Sequence, residues 1–147
     1  MYLIDSSVWI PALRKDGPPS IQEEIRKWIK DNVVSTNGIV RIELMGGCRT
    51  DEQLTALQER LRGLYSITIA EEHFAEAGVM HFKLRRQGIT VAVTDLLIAA
   101  SARSADHTLV HADSDFETIR SVFPMTTINK VQEINTWATA RKASRAR

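Results

Sequence analysis

The sequence predicts an α/β fold, with a mostly parallel central sheet flanked by helices. Three observations carry that prediction. Short apolar runs recur along the chain as strand candidates. Segments with helical apolar spacing, several opened by capping residues and closed by glycine, lie between them. No internal repeat, low-complexity stretch or linker divides the alternation, so strand and helix read as layers of one structure.

The elements follow in order. Tyr2-Leu3-Ile4 is a short buried strand that stops at Asp5. Ser6 and Ser7 can bond that carboxylate or cap the helix that resumes at Val8. Pro18 and Pro19 punctuate the next entrance, and Ser20 with Glu23 has capping-box spacing. Ile21, Ile25, Trp28 and Ile29 then recur as a helical stripe. Val33 to Thr36 is a second strand, Asn37-Gly38 a turn, and Ile39 to Met45 a helix closed by Gly46-Gly47.

Thr50 caps a helix carrying Leu54, Leu57 and Leu61, and Gly63 stops it. Tyr65 to Ile69 alternates as a strand. Glu71 and Glu72 open a long helix with Phe74, Ala77, His81 and Leu84 near one face, and Gly88 ends it. Thr94 can cap a helix from Asp95 to about Ser104. Thr108 to His111 is a strand, Ser114 with Glu117 a further capping box, and Met125 to Ile128 a last strand. A tail helix follows from Gln132.

At 147 residues the chain has the size of one domain. We expect residues 1–135 to form it and residues 136–147 to be a basic tail. The 19 Lys and Arg nearly balance the 18 Asp and Glu, so net charge names no partner. The single cysteine, Cys48, permits neither an internal disulfide framework nor a paired-Cys zinc site. There is no basic, apolar leader and no apolar run near the roughly 18 residues of a membrane span, so the expectation is a cytoplasmic protein with no membrane contact.

The acids carry the chemistry. In a parallel α/β sheet, ligands bind beyond the carboxyl ends of the strands. Asp5 directly follows the first strand, and Asp113 lies just beyond Thr108 to His111. Asp95 opens the apolar helix Leu96-Leu97-Ile98-Ala99-Ala100, and Glu43 sits inside Ile42-Glu43-Leu44-Met45. Carboxylates near an interior are rare unless paired or bound to a metal.

Singly, each has an ordinary explanation: a turn or cap for Asp5 and Asp113, the helix dipole for Asp95, a solvated face for Glu43. Jointly, four acids converge on the ligand edge. Asp115, beside the cap Ser114, fits a dipole role as well as a site. Crowded carboxylates raise one another's pKa, and a divalent cation removes that penalty. An all-oxygen donor set suits Mg²⁺ or Mn²⁺ rather than Zn²⁺, and the four histidines lack zinc-type spacing.

Four motifs in this order are recognisable: Leu3-Ile4-Asp5-Ser6-Ser7-Val8-Trp9-Ile10, Arg41-Ile42-Glu43-Leu44, Thr94-Asp95-Leu96-Leu97-Ile98-Ala99-Ala100 and His111-Ala112-Asp113-Ser114-Asp115-Phe116. Together they resemble the PIN-domain nucleases, in particular the VapC toxins of bacterial type II toxin–antitoxin pairs, over nearly the whole chain. The resemblance implies a PIN-like fold and an Mg²⁺- or Mn²⁺-dependent endoribonuclease. Asp5, Glu43, Asp95 and Asp113 match the core catalytic acids. The metal set is expected among Asp5, Asp95, Asp113 and Asp115, and Ser6 matches a small residue lining the site. The family further implies RNA as substrate, a VapB-type antitoxin as inhibitor and a homodimer.

The basic pairs Arg14-Lys15 and Arg85-Arg86 and the Arg-rich tail are candidate contacts to the RNA backbone, which would position without reading bases. Other readings stay open. One is a non-catalytic module that binds metal, RNA or a partner. Another is a PIN nuclease outside any toxin–antitoxin pair. A phosphatase with an aspartyl nucleophile is disfavoured, since it wants a second acid two residues beyond Asp5, where Ser7 stands.

Overall fold

The computed structural model describes residues 1–146. The chain runs β1 (Tyr2–Ile4), α1 (Ser6–Ala12), α2 (Pro19–Lys30), β2 (Val34–Asn37), α3 (Gly38–Gly46), α4 (Asp51–Arg62) and β3 (Tyr65–Ile67). It continues through α5 (Glu71–Arg86), α6 (Val93–Ser104), β4 (Thr108–His111), α7 (Ser114–Val122), β5 (Thr127–Asn129) and α8 (Val131–Arg145). All five strands pair in parallel, in the order β3-β2-β1-β4-β5. The predicted fold class is therefore observed, with a sheet that is wholly parallel.

The order explains where a site can form. From β1 the chain moves outward through β2 to β3, then crosses over to β4 and moves outward again to β5. Right-handed crossovers in opposite directions place their helices on opposite faces. Accordingly α1 to α4 pack mainly among themselves and α5, α6 and α7 among themselves, with α3 also meeting α6. The connections diverge between β1 and β4, which leaves a crevice at their carboxyl ends. Register fixes that junction: Ile4 is opposite Val110, and the Asp5 N–H extends the ladder by donating to the Val110 carbonyl at 2.9 Å.

The core is built where the apolar runs predicted it. Leu3, Ile4, Leu109 and Val110 are buried in the central strands, and every residue from Leu96 to Ala102 on α6 is buried. Tyr2 stacks on Trp28, with ring centroids 4.3 Å apart, which seals the α2 side.

Several local expectations are corrected. Ser20 does not cap α2. Pro19 occupies the first turn, where its missing N–H costs nothing, and the Ser20 hydroxyl instead donates to Glu133 of α8. Thr94 does not cap α6, which begins at Val93 after Ala92. Ser114 does not cap α7. Asp113 does, accepting from the Asp115 N–H, and Glu117 turns inward to His111 and Thr127. On α5 the buried face is His73, Ala77, Met80 and Leu84, while Phe74 is 52% exposed. His73 can be inside because its Nδ1 accepts the Ala70 N–H. The strand before α5 ends at Ile67 rather than Ile69, and the last strand is shifted to Thr127–Asn129.

Beyond β5, α8 docks on the loop between α1 and α2. Trp137 Nε1 donates to the Asp16 carbonyl at 2.8 Å, and Arg141 pairs with the Asp16 carboxylate at 2.5 Å. Lys130 is buried between Glu24 and Glu133, at 2.8 Å from each. These contacts tie the helix to α2. Arg147, the last basic residue of the tail, lies outside the described residues.

Candidate active site

Each acid reaches the crevice by its own local logic. Asp5 is the residue at which β1 ends and α1 begins. Its side chain caps α1 by accepting the Ser7 N–H at 2.9 Å, and it is 4% exposed. Asp113 does the same after β4, capping α7 through the Asp115 N–H at 2.9 Å. Asp95 is in the first turn of α6, so its carboxylate sits where a buried helix begins. Strand ends and helix starts meet here because the sheet is parallel, and helix N-termini favour negative charge.

The geometry brings Asp95, Asp113 and Asp115 together, each offering a carboxylate oxygen within 4.8 Å of the others'. All three are half-buried. The consequence falls on Asp95, whose carboxyl is pushed up to about 7. Burial is the main cause, followed by the charges of Asp5, Asp113, Asp115 and Glu43, in that order. The other four acids named from the sequence thus all act on Asp95. Asp5 is the charge that Asp95 feels most, although it stands outside the tight trio. Glu43, on α3, is half-buried, and its Oε2 is buried with no hydrogen-bond partner.

These features fit a divalent cation. The donors are all carboxylate oxygens, as Mg²⁺ or Mn²⁺ prefers. A proton held near neutral pH on Asp95, and an unpartnered carboxylate oxygen on Glu43, are what crowded acids show when nothing neutralises them.

The remaining residues named from the sequence divide. Ser6 is the first residue of α1 and is half-buried. It is the next hydroxyl, Ser7, that bonds Asp5, at 2.5 Å. Arg14 and Lys15 are exposed in the loop that α8 grips. Arg85 and Arg86 are exposed in the last turn of α5. Arg103 at the end of α6 pairs with Glu76 in the first half of α5, so the two helices run antiparallel. The Arg85-Arg86 end of α5 therefore lies towards the Asp95 end of α6.

Two supports escaped the sequence reading. Buried Asn37 ends β2, caps α3 through the Val40 N–H, and donates to Ser101 on α6 at 2.9 Å. It ties the helix bearing Glu43 to the helix bearing Asp95. Fully buried His111 places Nε2 3.0 Å from Glu117 Oε1, and its Nδ1 accepts the Asp113 N–H at 3.4 Å. Asn37-Gly38 looked like a plain turn, and Glu117 like a capping residue. Only the hydrophobic surroundings of each could have hinted otherwise.

Among themselves, α1 to α4 leave an apolar groove of about 350 Å³. Trp9, Leu13, Ile25, Leu44 and Leu57 line it, with Arg26 and Arg60 also in its wall.

The fold has known relatives. The family model for the PIN domain matches residues 2–121, and the chain belongs to that family. Ribonuclease VapC11 of Mycobacterium tuberculosis is 29% identical over 126 residues, which is 83% of this chain and 93% of that protein. Among solved structures, VapBC2 from Rickettsia felis, bound to a DNA fragment from its promoter, matches with a TM-score of 0.72 at 24% identity. That match covers 87% of this chain and 97% of the other. Mycobacterium tuberculosis VapC20, described as a sarcin–ricin loop cleaving toxin, matches with a TM-score of 0.60 at 20% identity, over 80% of this chain and 94% of that one.

Proposed function

We propose that this chain is a divalent-metal-dependent endoribonuclease, and that it acts as the toxin of a toxin–antitoxin pair. The single observation that carries the reading is the carboxylate trio Asp95, Asp113 and Asp115 at the β1–β4 crevice, with Asp5 and Glu43 pressing on the same point. The VapC ribonucleases named above support RNA as the substrate and a VapB-type protein as the inhibitor.

Asp95, Asp113 and Asp115 would hold Mg²⁺ or Mn²⁺, with Asp5 beside them. Such a cation supplies activation of water and stabilisation of charge on the phosphodiester. Asp5 is held by Ser7 and so keeps its place as charge accumulates. Glu43 offers a buried oxygen, without a protein partner, that can orient a water. Arg85, Arg86, Arg14 and Lys15 would contact phosphates of the RNA on either side, which positions the strand without reading sequence. The products would carry a 5′-phosphate and a 3′-hydroxyl. The apolar groove beside α1 suits an apolar segment of the antitoxin. A homodimer is the assembly the family resemblance implies. Residues 1–135 would form the nuclease unit and residues 136–147 a basic extension.

The test uses purified protein and 5′-labelled RNA, with Mn²⁺, with Mg²⁺ and with excess EDTA. Cleavage that EDTA abolishes and either cation restores is expected. Cleavage that survives exhaustive chelation would refute the metal-dependent reading. RNA that is bound but left intact under every condition would favour the non-catalytic module.

A further inference from the structure

The Ser7 hydroxyl stands between the two halves of the acid cluster. It donates to Asp5 Oδ2 at 2.5 Å and accepts the Ala112 N–H at 2.9 Å. Asp5 follows β1, whereas Ala112 follows β4 and immediately precedes Asp113. One hydroxyl therefore links the strand end that carries Asp5 to the loop that carries Asp113 and Asp115. The β1–β4 ladder runs out at the Asp5 N–H bond to the Val110 carbonyl, so the link lies just past the last rung.

We propose that Ser7 is a positioning residue, a staple that fixes Asp5 against the Asp113–Asp115 loop and so holds that loop's carboxylates where, with Asp95, they would take a divalent cation. The inference rests on the metal-binding reading above.

The geometry separates this role from helix capping. The cap of α1 is the bond from the Ser7 backbone N–H to Asp5, and it does not need the hydroxyl. Both Ser7 bonds fall on Oδ2, so neither occupies Oδ1. The Ala112 N–H, in a half-buried residue, has its acceptor in Ser7 Oγ. Removing the hydroxyl leaves that N–H without this partner and removes the shorter of the two bonds to Asp5. The acids repel one another, so a loop released on one side moves away from Asp5. Groups that orient metal ligands typically change metal affinity by roughly 10–100-fold when removed.

The experiment compares wild type, Ser7→Ala, Ser7→Thr and Ser35→Ala as full chains. Ser35 is a control for loss of a buried hydroxyl, since it bonds the Tyr2 carbonyl and His107, both at the opposite end of the strands from the acids. Two quantities are read: Mn²⁺ affinity by titration calorimetry, and amide hydrogen exchange at Ala112 in the metal-free protein. Ser7→Ala should bind Mn²⁺ about tenfold or more weakly and exchange the Ala112 amide faster. Ser7→Thr should restore both, and Ser35→Ala should change neither, whatever it does to the melting temperature. Equal Mn²⁺ affinity in wild type and Ser7→Ala would overturn the staple. So would an Ala112 amide that exchanges equally in the two, whether or not metal binds. A wild-type chain that binds no Mn²⁺ would overturn the metal reading itself, which is a separate failure.

Discussion

Asp95→Asn should stabilise the metal-free protein while abolishing cleavage. The substitution keeps the shape of the side chain and removes its charge. Burial and four neighbouring acids push the Asp95 carboxyl from 3.8 to about 7, so its ionised form is disfavoured in the folded chain. At about 1.4 kcal/mol per pKa unit the ceiling on that penalty is about 4 kcal/mol. Asp95 is half-buried rather than sealed, and solvent screening brings the figure to about 2 kcal/mol.

The sign follows from linkage. The folded chain holds the proton more tightly than the unfolded chain, so the penalty grows as pH rises from 3.8 and is complete above about 7. The gain from Asp95→Asn should therefore be largest at pH ~8 and less than half as large at pH ~5. For a domain of this size, about 2 kcal/mol corresponds to roughly 4–8 °C in melting temperature. Thermal unfolding of both proteins in EDTA at the two pH values measures it, and the difference between the proteins cancels every titrating group that does not interact with Asp95. Adding Mn²⁺ should then raise the wild type and leave Asp95→Asn nearly unmoved. The reasoning fails if the variant is the less stable protein at pH 8, or if the difference is the same at both pH values.

Four further substitutions test the rest of the site and its support. Asp5→Asn and Asp113→Asn should each lower RNA cleavage by about 100-fold or more, since a ligand or its partner is lost, while Asp115→Asn should be milder. Single-turnover rates at saturating Mn²⁺ measure this, and normal cleavage by correctly folded Asp5→Asn and Asp113→Asn would show the site to be misassigned. Glu117→Ala should destabilise the protein by about 1–3 kcal/mol at neutral pH, because His111 Nε2 is left buried without its partner. Burial raises the Glu117 carboxyl, but hydrogen bonds from His111 and Thr127 outweigh it and hold it below its ordinary 4.5. Its contribution is thus present above pH 4.5 and lost as pH falls through the lower folded value, so variant and wild type should converge in acid. Denaturant unfolding at pH 7 and pH 3 checks both statements.

The sequence by itself determined the fold class and pointed to the acids. Apolar runs of strand length, separated by apolar helical stripes, leave few arrangements other than a parallel sheet with helices on it. In such a sheet an acid directly after a strand, as Asp5 is, or opening a wholly apolar helix, as Asp95 is, has nowhere to go but the carboxyl edge. These are local properties, readable from a few neighbouring residues.

Tertiary structure alone decided how the acids are shared out and what holds them. Strand order β3-β2-β1-β4-β5 comes from pairing between distant segments, and no local pattern encodes it. That order makes β1 and β4 neighbours, which puts Asp5 beside the Asp113–Asp115 loop and lets Ser7 bond Ala112 across 105 positions of sequence. The same is true of Glu117, whose spacing from Ser114 suggested a cap. It faces His111 of β4 and Thr127 of β5 because those two strands pair side by side and bring both residues within its reach. Hydrogen-bond partners are chosen by which groups burial leaves unsatisfied, and burial is a property of the packed chain rather than of any segment in it.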